Sequence, residues 1–294
     1  MPQYPLILVT NDAGLLSPGL LAAAEAVADL GDLLIVAPAT QQTAMSRAFT
    51  HDVDAGVIKP VELLVAGRTL GAYSVTGSPA LTVTHAVLEL AERPVSLCVS
   101  GINYGENVGG SVGVSGTIGA AMEAAAHGIP GIAASVTAGV SEWRAFGTVD
   151  WTAAGHFTRL LARQVLEEGL PDGVSVLNLN VPRSATAGTE LRKTVQSRQP
   201  YYVRRRPARA RQLDQPCQLP VDIAVDWDRL EPGSDVEAVA RDQVASVTPL
   251  TGQLTAGTGW APRGPGQKPA ELDRSSRTSS WAGGQCPDRL PRRR

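Results

Sequence analysis

Four short stretches carry side chains suited to work together on a phosphate ester: Asn11-Asp12, Thr43, Asn103 and Ser115-Gly116-Thr117. Asp12, Thr43 and Asn103 offer a carboxylate, a hydroxyl and a carboxamide oxygen. That donor set suits a hard divalent cation such as Mg²⁺, Mn²⁺ or Ca²⁺, which polarises a phosphoryl oxygen or activates a water. Ser115-Gly116-Thr117 stands where a helix begins, and free N–H groups at the positive end of a helix dipole bind anions. A cation beside such a helix end points to phosphate chemistry, with Asn11 and Asp12 orienting or deprotonating the attacking water. The plainer readings are that Asn11 and Asp12 shape a turn and that Ser115 is an ordinary N-cap.

These stretches need a scaffold that brings them to one edge, and the apolar pattern supplies it. Pro5 precedes four continuous apolar residues, Leu6-Ile7-Leu8-Val9, the pattern of a strand buried on both faces of a parallel sheet. Ser17 and Pro18 suit the N-cap and first position of a helix over about 20–30. Residues 32–38 read as a second buried strand, ending in the polar loop that carries Thr43. Strand, helix and strand at this spacing make a right-handed crossover. Residues 52–76 read as an antiparallel excursion, and Ser78-Pro79 starts a helix over about 80–90. Residues 94–100 read as a further buried strand, with the loop bearing Asn103 behind it. Helices over 118–127 and 151–168 alternate with strands over 131–135 and 174–182. The fold class expected is α/β, a Rossmann-like three-layer core with a mainly parallel sheet. In such sheets ligands bind beyond the carboxyl ends of the strands.

With 294 residues the chain can bury a large core. Its formal net charge of −2 argues against a general nucleic-acid or anionic-membrane binder. No apolar run approaches a membrane span, and Met1-Pro2-Gln3-Tyr4 is no secretory leader. Cys98, Cys217 and Cys286 are widely spaced and odd in number, which fits a reducing cytoplasm and not a disulfide framework. His51, His85, His127 and His156 lack metal-ligand spacing, so a metal here is expected to be held by oxygen. The domain reading is an α/β core over 1–182, an antiparallel extension for oligomerisation over 183–257, and a disordered Gly/Pro/Ser/Arg tail over 258–294. The basic run from Pro200 to Pro207 reads as a solvated loop or subunit contact in preference to a nucleic-acid arm. A short helix over 235–239 and a last strand over 244–250 close the ordered part.

Taken together, the motifs resemble the SurE family of metal-dependent nucleotide phosphatases (survival protein E, 5'/3'-nucleotidase). That family opens with a strand, Asn-Asp-Asp-Gly and then Pro-Gly. Here the opening stands as Val9-Thr10-Asn11-Asp12-Ala13-Gly14 with Pro18-Gly19. The match continues through Val36-Ala37-Pro38, Val75-Thr76-Gly77-Ser78-Pro79-Ala80 and Ser100-Gly101-Ile102-Asn103. It then takes in Gly105-Glu106-Asn107, Ser115-Gly116-Thr117, Gly128-Ile129-Pro130 and Asn178-Leu179-Asn180-Val181-Pro182. Ser234-Asp235-Val236 and Ser246-Val247-Thr248-Pro249-Leu250 complete it, so it spans about residues 5–250.

The resemblance implies hydrolysis of nucleoside monophosphates, one divalent cation (Mg²⁺ or Mn²⁺), and homodimer or homotetramer assembly through the antiparallel extension. It implies metal ligands at Asp12, Thr43 (for the family's Ser) and Asn103. On the residues themselves, Asn107, Ser115, Gly116 and Thr117 read as holding the substrate phosphate, with Arg47 as an added cation that partly replaces the metal's charge there. Three positions depart from the family. Ala13 stands where a second acid is usual, Ala39 where an acid follows Ala-Pro, and Arg47-Ala48 where a His-Ser pair is common. Two readings stay open on sequence: a phosphatase with a reduced ligand set, and a non-catalytic or repurposed relative that binds a nucleotide or phosphate ester.

Overall fold

The computed structural model describes residues 4–143, 146–208 and 213–255. The opening apolar run is strand β1, Leu6–Thr10, buried at every residue. Helix α1, Pro18–Val27, follows with Pro18 at its first position. It ends short of the expected residue 30, in a turn closed by Leu30 N–H on the Val27 carbonyl (3.0 Å). The expected Ser17 cap is not made, and the Ser17 hydroxyl is buried without a partner. Strand β2, Asp32–Pro38, is as the apolar pattern requires. The excursion is the hairpin β3, Ile58–Val65, and β4, Arg68–Val75. Helix α2, Pro79–His85, is capped by Ser78, whose hydroxyl accepts Leu81 N–H at 3.3 Å. The remainder of that expected helix is a wider π turn, Ala86–Leu90.

Strand β5, Val95–Tyr104, runs four residues past its expected end at Ser100, so Asn103 lies on a strand and not in a loop. Asn103 and Tyr104 pair with Ser135 and Val136 after a register shift, which lets the ladder continue through a polar, Gly-containing stretch. Helix α3, Gly116–Ala126, strand β6, Gly131–Val136, helix α4, Thr152–Glu168, and strand β7, Val176–Val181, complete the core. Beyond it come β8, Leu191–Lys193, β9, Tyr201–Arg204, β10, Val221–Ala224, and β11, Ala245–Leu250.

Among the described residues these strands form a nine-stranded sheet in the order β3-β4-β2-β1-β5-β6-β7-β11-β8, with β9 and β10 as a separate pair. From β4 to β7 every neighbour is parallel. β11 is antiparallel to β7 and parallel to β8, so residues after 182 widen the core sheet as well as forming the β9–β10 hairpin. Alternate residues of β1 face opposite layers. Ile7 and Val9 pack with Leu20 and Val27 of α1 and Phe157 and Leu161 of α4. Leu6 and Leu8 pack with Val83 of α2 and Ala120 and Ala124 of α3. This is the expected three-layer α/β architecture. Small residues on α1 and α3 let both helices lie close to the sheet. Described contacts gather into one unit ending at Leu254, and the tail expected from residue 258 lies outside the described residues. The basic run is half strand: β9 takes Tyr201–Arg204, and Arg205 Nε pairs with Asp222 Oδ2 at 2.8 Å.

Candidate active site

The chain moves to β2 on one side of β1 and to β5 on the other, so the crevice between β1 and β5 is a topological switch point. Asp12 and Asn103 follow the paired residues Thr10 and Ser100 on its two sides. Asp12 is 3 % exposed. Its Oδ1 accepts the Thr117 hydroxyl at 2.9 Å, and its main-chain carbonyl accepts Gln42 N–H at 2.6 Å. The residue after Gln42 is Thr43, exposed in its loop. Asp12 is thus tied to the start of α3 and to Gln42, the neighbour of Thr43, by two hydrogen bonds.

Gly116 explains how the carboxylate reaches the helix end. A Cβ there would lie 2.8 Å from Asp12 Cβ and 2.9 Å from Oδ2, so only glycine admits this approach. Ser115 caps α3, its Oγ accepting Ile118 N–H at 3.2 Å. Ser115, Gly116 and Thr117 therefore stand at one helix N-terminus with Asp12 against them.

The other expected site residues fare differently. Asn11 turns its amide back on its own loop: Nδ2 donates to the Gly14 carbonyl (3.0 Å) and Oδ1 accepts Gly14 N–H (3.1 Å). Each end of the group makes one bond to the turn, which gives Asn11 a shaping role beside Asp12 and leaves it one amide hydrogen. Asn107 is 7 % exposed and sits in a buried amide network. Its Nδ2 donates to Ser135 Oγ at 2.9 Å, leaving one amide hydrogen for a ligand. Asn103 Nδ2 donates to the Gly105 carbonyl at 2.8 Å, a bond that leaves its Oδ1 uncommitted.

Arg47 is drawn to a carboxylate further along α3. Its Nε binds Glu123 Oε2 at 2.6 Å, and Glu123 follows Thr117 by six residues, about 9 Å along the axis of α3. Glu123 is 5 % exposed and also accepts Thr84 Oγ1 at 3.2 Å, and a carboxylate this buried holds its cation. Arg47 is thus committed to Glu123 through Nε, while its side chain stays half exposed.

Sequence reasoning missed the residues that clamp the turn after Asn103. Asn107 N–H donates to Asn180 Oδ1 (2.7 Å), and the Asn107 carbonyl accepts Asn178 Nδ2 (2.8 Å) and Asn180 Nδ2 (3.3 Å). The signal was there, since two asparagines spaced by two on a buried strand share one face. Asp235, 126 residues beyond Gly109, accepts its N–H at 3.0 Å, and no local pattern announces such a contact.

Two features of the site fit a cation. The Asp12 carboxylate has a hydroxyl for a partner, and burial pushes its pKa up to about 6 against the pull of Thr117. On the α3 side of the sheet below it, Thr10 Oγ1 and Ser100 Oγ are buried without partners, polar atoms that a hydrated cation would satisfy. The donors around it are oxygens, and among the described residues no three His, Cys, Asp or Glu side chains cluster as a transition-metal site. Ala13, 7 % exposed, lines the same turn and brings no oxygen. Elsewhere, burial pushes the Cys98 thiol up to about 12 and keeps it inert.

Comparison with known proteins agrees with this geometry. The family model described as survival protein SurE matches residues 7–203. A 5'-nucleotidase SurE of Thermococcus kodakarensis is 38 % identical over 255 residues, covering 85 % of this chain and 93 % of its own. One of Methanocella arvoryzae is 40 % identical over 261 residues, with the same coverage of both chains. The crystal structure of the SurE protein from Aquifex aeolicus superposes with a TM-score of 0.67 at 28 % identity, covering 85 % of this chain and 95 % of that one. The fold, the Asp12–Thr117 corner and these relatives, matched over nearly their full lengths, agree: the chain belongs to the SurE family.

Proposed function

We propose that this chain is a metal-dependent phosphomonoesterase that hydrolyses nucleoside monophosphates to nucleoside and phosphate. The observation that carries the reading is the buried Asp12 carboxylate, held by a hydroxyl at the N-terminus of α3 beside the switch point of the sheet. Relatives sharing 38–40 % of their residues with the chain bear the name 5'-nucleotidase.

In this reading Asp12, Thr43 and Asn103 would hold one divalent cation, Mg²⁺ or Mn²⁺, through their side-chain oxygens. When bound, the cation supplies Lewis-acid stabilisation of charge developing on the phosphoryl group. The chain's own residues do the rest. The first turn of α3, at Ser115, Gly116 and Thr117, presents its N–H groups to the phosphate, and Asn107 adds its remaining amide hydrogen. The Thr117 hydroxyl fixes the Asp12 carboxylate, and the Asn11 turn holds Asp12 at the end of β1. Such preorganised donors lower the barrier because they need no reorganisation during reaction.

The same reading carries assembly and location. Val195, Ile223 and Trp227, all in the C-terminal segment, are 61 %, 47 % and 56 % exposed. Apolar surface of this kind supports a homodimer or homotetramer built through residues 185–250. Cys98 and Cys217 are both free thiols, which supports a reducing cytoplasm.

The test is phosphate release from a panel of 5'- and 3'-nucleoside monophosphates with Mg²⁺, Mn²⁺ or EDTA. Cation-dependent release that EDTA abolishes is expected. Nucleotide binding without release under any cation would overturn the reading.

A further inference from the structure

The reading above gives no task to Glu106, a carboxylate 3 % exposed in the turn that follows Asn103. Its oxygens are divided between distant parts of the chain. Oε2 accepts Ala138 N–H at 3.3 Å, just past β6, and Oε1 accepts the hydroxyl of Tyr201, which opens β9. Tyr201 is itself 3 % exposed and holds a φ of +61°, a conformation a bulky side chain keeps only when its surroundings dictate it.

What this anchors is the support of Asn103. The carboxamide is oriented by Nδ2 donating to the Gly105 carbonyl at 2.8 Å, which decides where its oxygen is offered. Gly105 is fixed on each side. Its N–H reaches the Val136 carbonyl at 2.9 Å, and the Trp143 indole covers its α-carbon, where a Cβ would meet Nε1 at 2.6 Å. Asn107, next but one, is bound by Asn180. Between them Glu106 links this turn to the C-terminal segment.

We propose that Glu106, with Tyr201 as its hydrogen-bond donor, is a positioning residue for the cation site. The pair fixes the Gly105 carbonyl and through it the oxygen that Asn103 offers, so the segment around β9 completes the site. This rests on the reading that Asn103 is a cation ligand.

The experiment is calorimetric titration with Mn²⁺ alone, with metal-free thermal unfolding recorded for every variant. Tyr201→Phe removes a single oxygen and keeps the ring. Glu106→Gln keeps the shape but can set an N–H against that of Ala138. Arg205→Ala loosens the same hairpin at its ion pair with Asp222, away from Glu106. Losing a group that orients a ligand typically weakens metal binding by about 10–100-fold. That loss is expected for Tyr201→Phe and Glu106→Gln, with folding retained, and not for Arg205→Ala.

Wild-type affinity in folded Tyr201→Phe would overturn the proposal. So would equal weakening in Arg205→Ala, or loss of the fold in Tyr201→Phe, either of which makes the contact a staple of the hairpin. If Glu106→Gln does not fold, Tyr201→Phe decides alone. A wild-type protein that takes up no Mn²⁺ would overturn the metal-dependent reading itself, and this proposal with it.

Discussion

The Thr117 hydroxyl donates to Asp12 Oδ1 over 2.9 Å, joining the end of β1 to the start of α3 across 105 residues of chain. A carboxylate is thereby seated at the helix end that would otherwise attract a free anion. Phosphate approaching Ser115-Gly116-Thr117 meets that charge. Two anions at one helix terminus repel, and a cation between them turns the repulsion into attraction. The corner thus gives a physical reason for a metal requirement, independent of resemblance.

Thr117→Val should leave a buried carboxylate without its hydroxyl partner. Removing such a partner costs about 1–3 kcal/mol. Urea unfolding should show that loss, and phosphate release should fall with it. Thr117→Ser should recover both, and a neutral Thr117→Val would mean that the hydrogen bond contributes nothing.

Stability should depend on pH through Asp12. Its folded value, about 6, lies above its ordinary 3.8. Between those values the native state holds the extra proton, so in EDTA stability falls as pH rises from about 4 to about 6. The ionised form then carries a penalty on the order of 3 kcal/mol. Asp12→Asn should remove this component from the profile. Added Mn²⁺ should stabilise the wild type more at pH 7 than at pH 5, and equal stabilisation at both would contradict a cation held by Asp12.

Gly116→Ala should disable the site. The new Cβ would press on Asp12 Cβ and Oδ2 at 2.8 and 2.9 Å, and on the Gln42 carbonyl at 3.1 Å. Either the carboxylate leaves the helix end or the loop bearing Thr43 shifts. Activity should drop by at least tenfold, while Gly71→Ala, where nothing lies within 4 Å and the backbone is extended in β4, should leave it unchanged. Equal activities in the two variants would remove Gly116 from the site.

Much of this was legible in the chain because buried parallel strands announce themselves as continuous apolar runs. Residues 32–38 and 131–135 are examples. Asp12 and Asn103 were found because each follows such a run. The end of β5 was not, because Gly101 looks like a strand terminator after Ser100, and Asn103 pairs with Ser135 of β6 only beyond a register shift. Arg47 was assigned by its charge alone, and its buried partner Glu123 lies 76 residues away. Asn11 has the right atoms for catalysis, but whether an amide faces a substrate or its own turn is decided by local geometry. Glu106 and Tyr201, 95 residues apart, meet only through the tertiary fold.

Ala13→Asp is the change that tests the site most directly. Position 13 is 7 % exposed and adjoins Asp12 on the turn at the end of β1. A second carboxylate there has two opposite consequences, depending on whether a cation is present. Without one, two acids this close resist joint ionisation, and the variant should be less stable than the wild type. With Mn²⁺, both carboxylates face one cation, and the variant should become the more stable of the two. A carboxylate added to a ligand set this small should raise metal affinity by at least about tenfold, by analogy with the loss seen when supporting groups are removed. Phosphate release should rise with it. The readout is therefore a change of sign: destabilised in EDTA, stabilised in Mn²⁺, relative to the wild type in the same buffer. If Ala13→Asp takes up no Mn²⁺ by calorimetry and hydrolyses nothing, the cation reading of Asp12, Thr43 and Asn103 falls. The buried Asp12–Thr117 pair would then be a structural joint between β1 and α3.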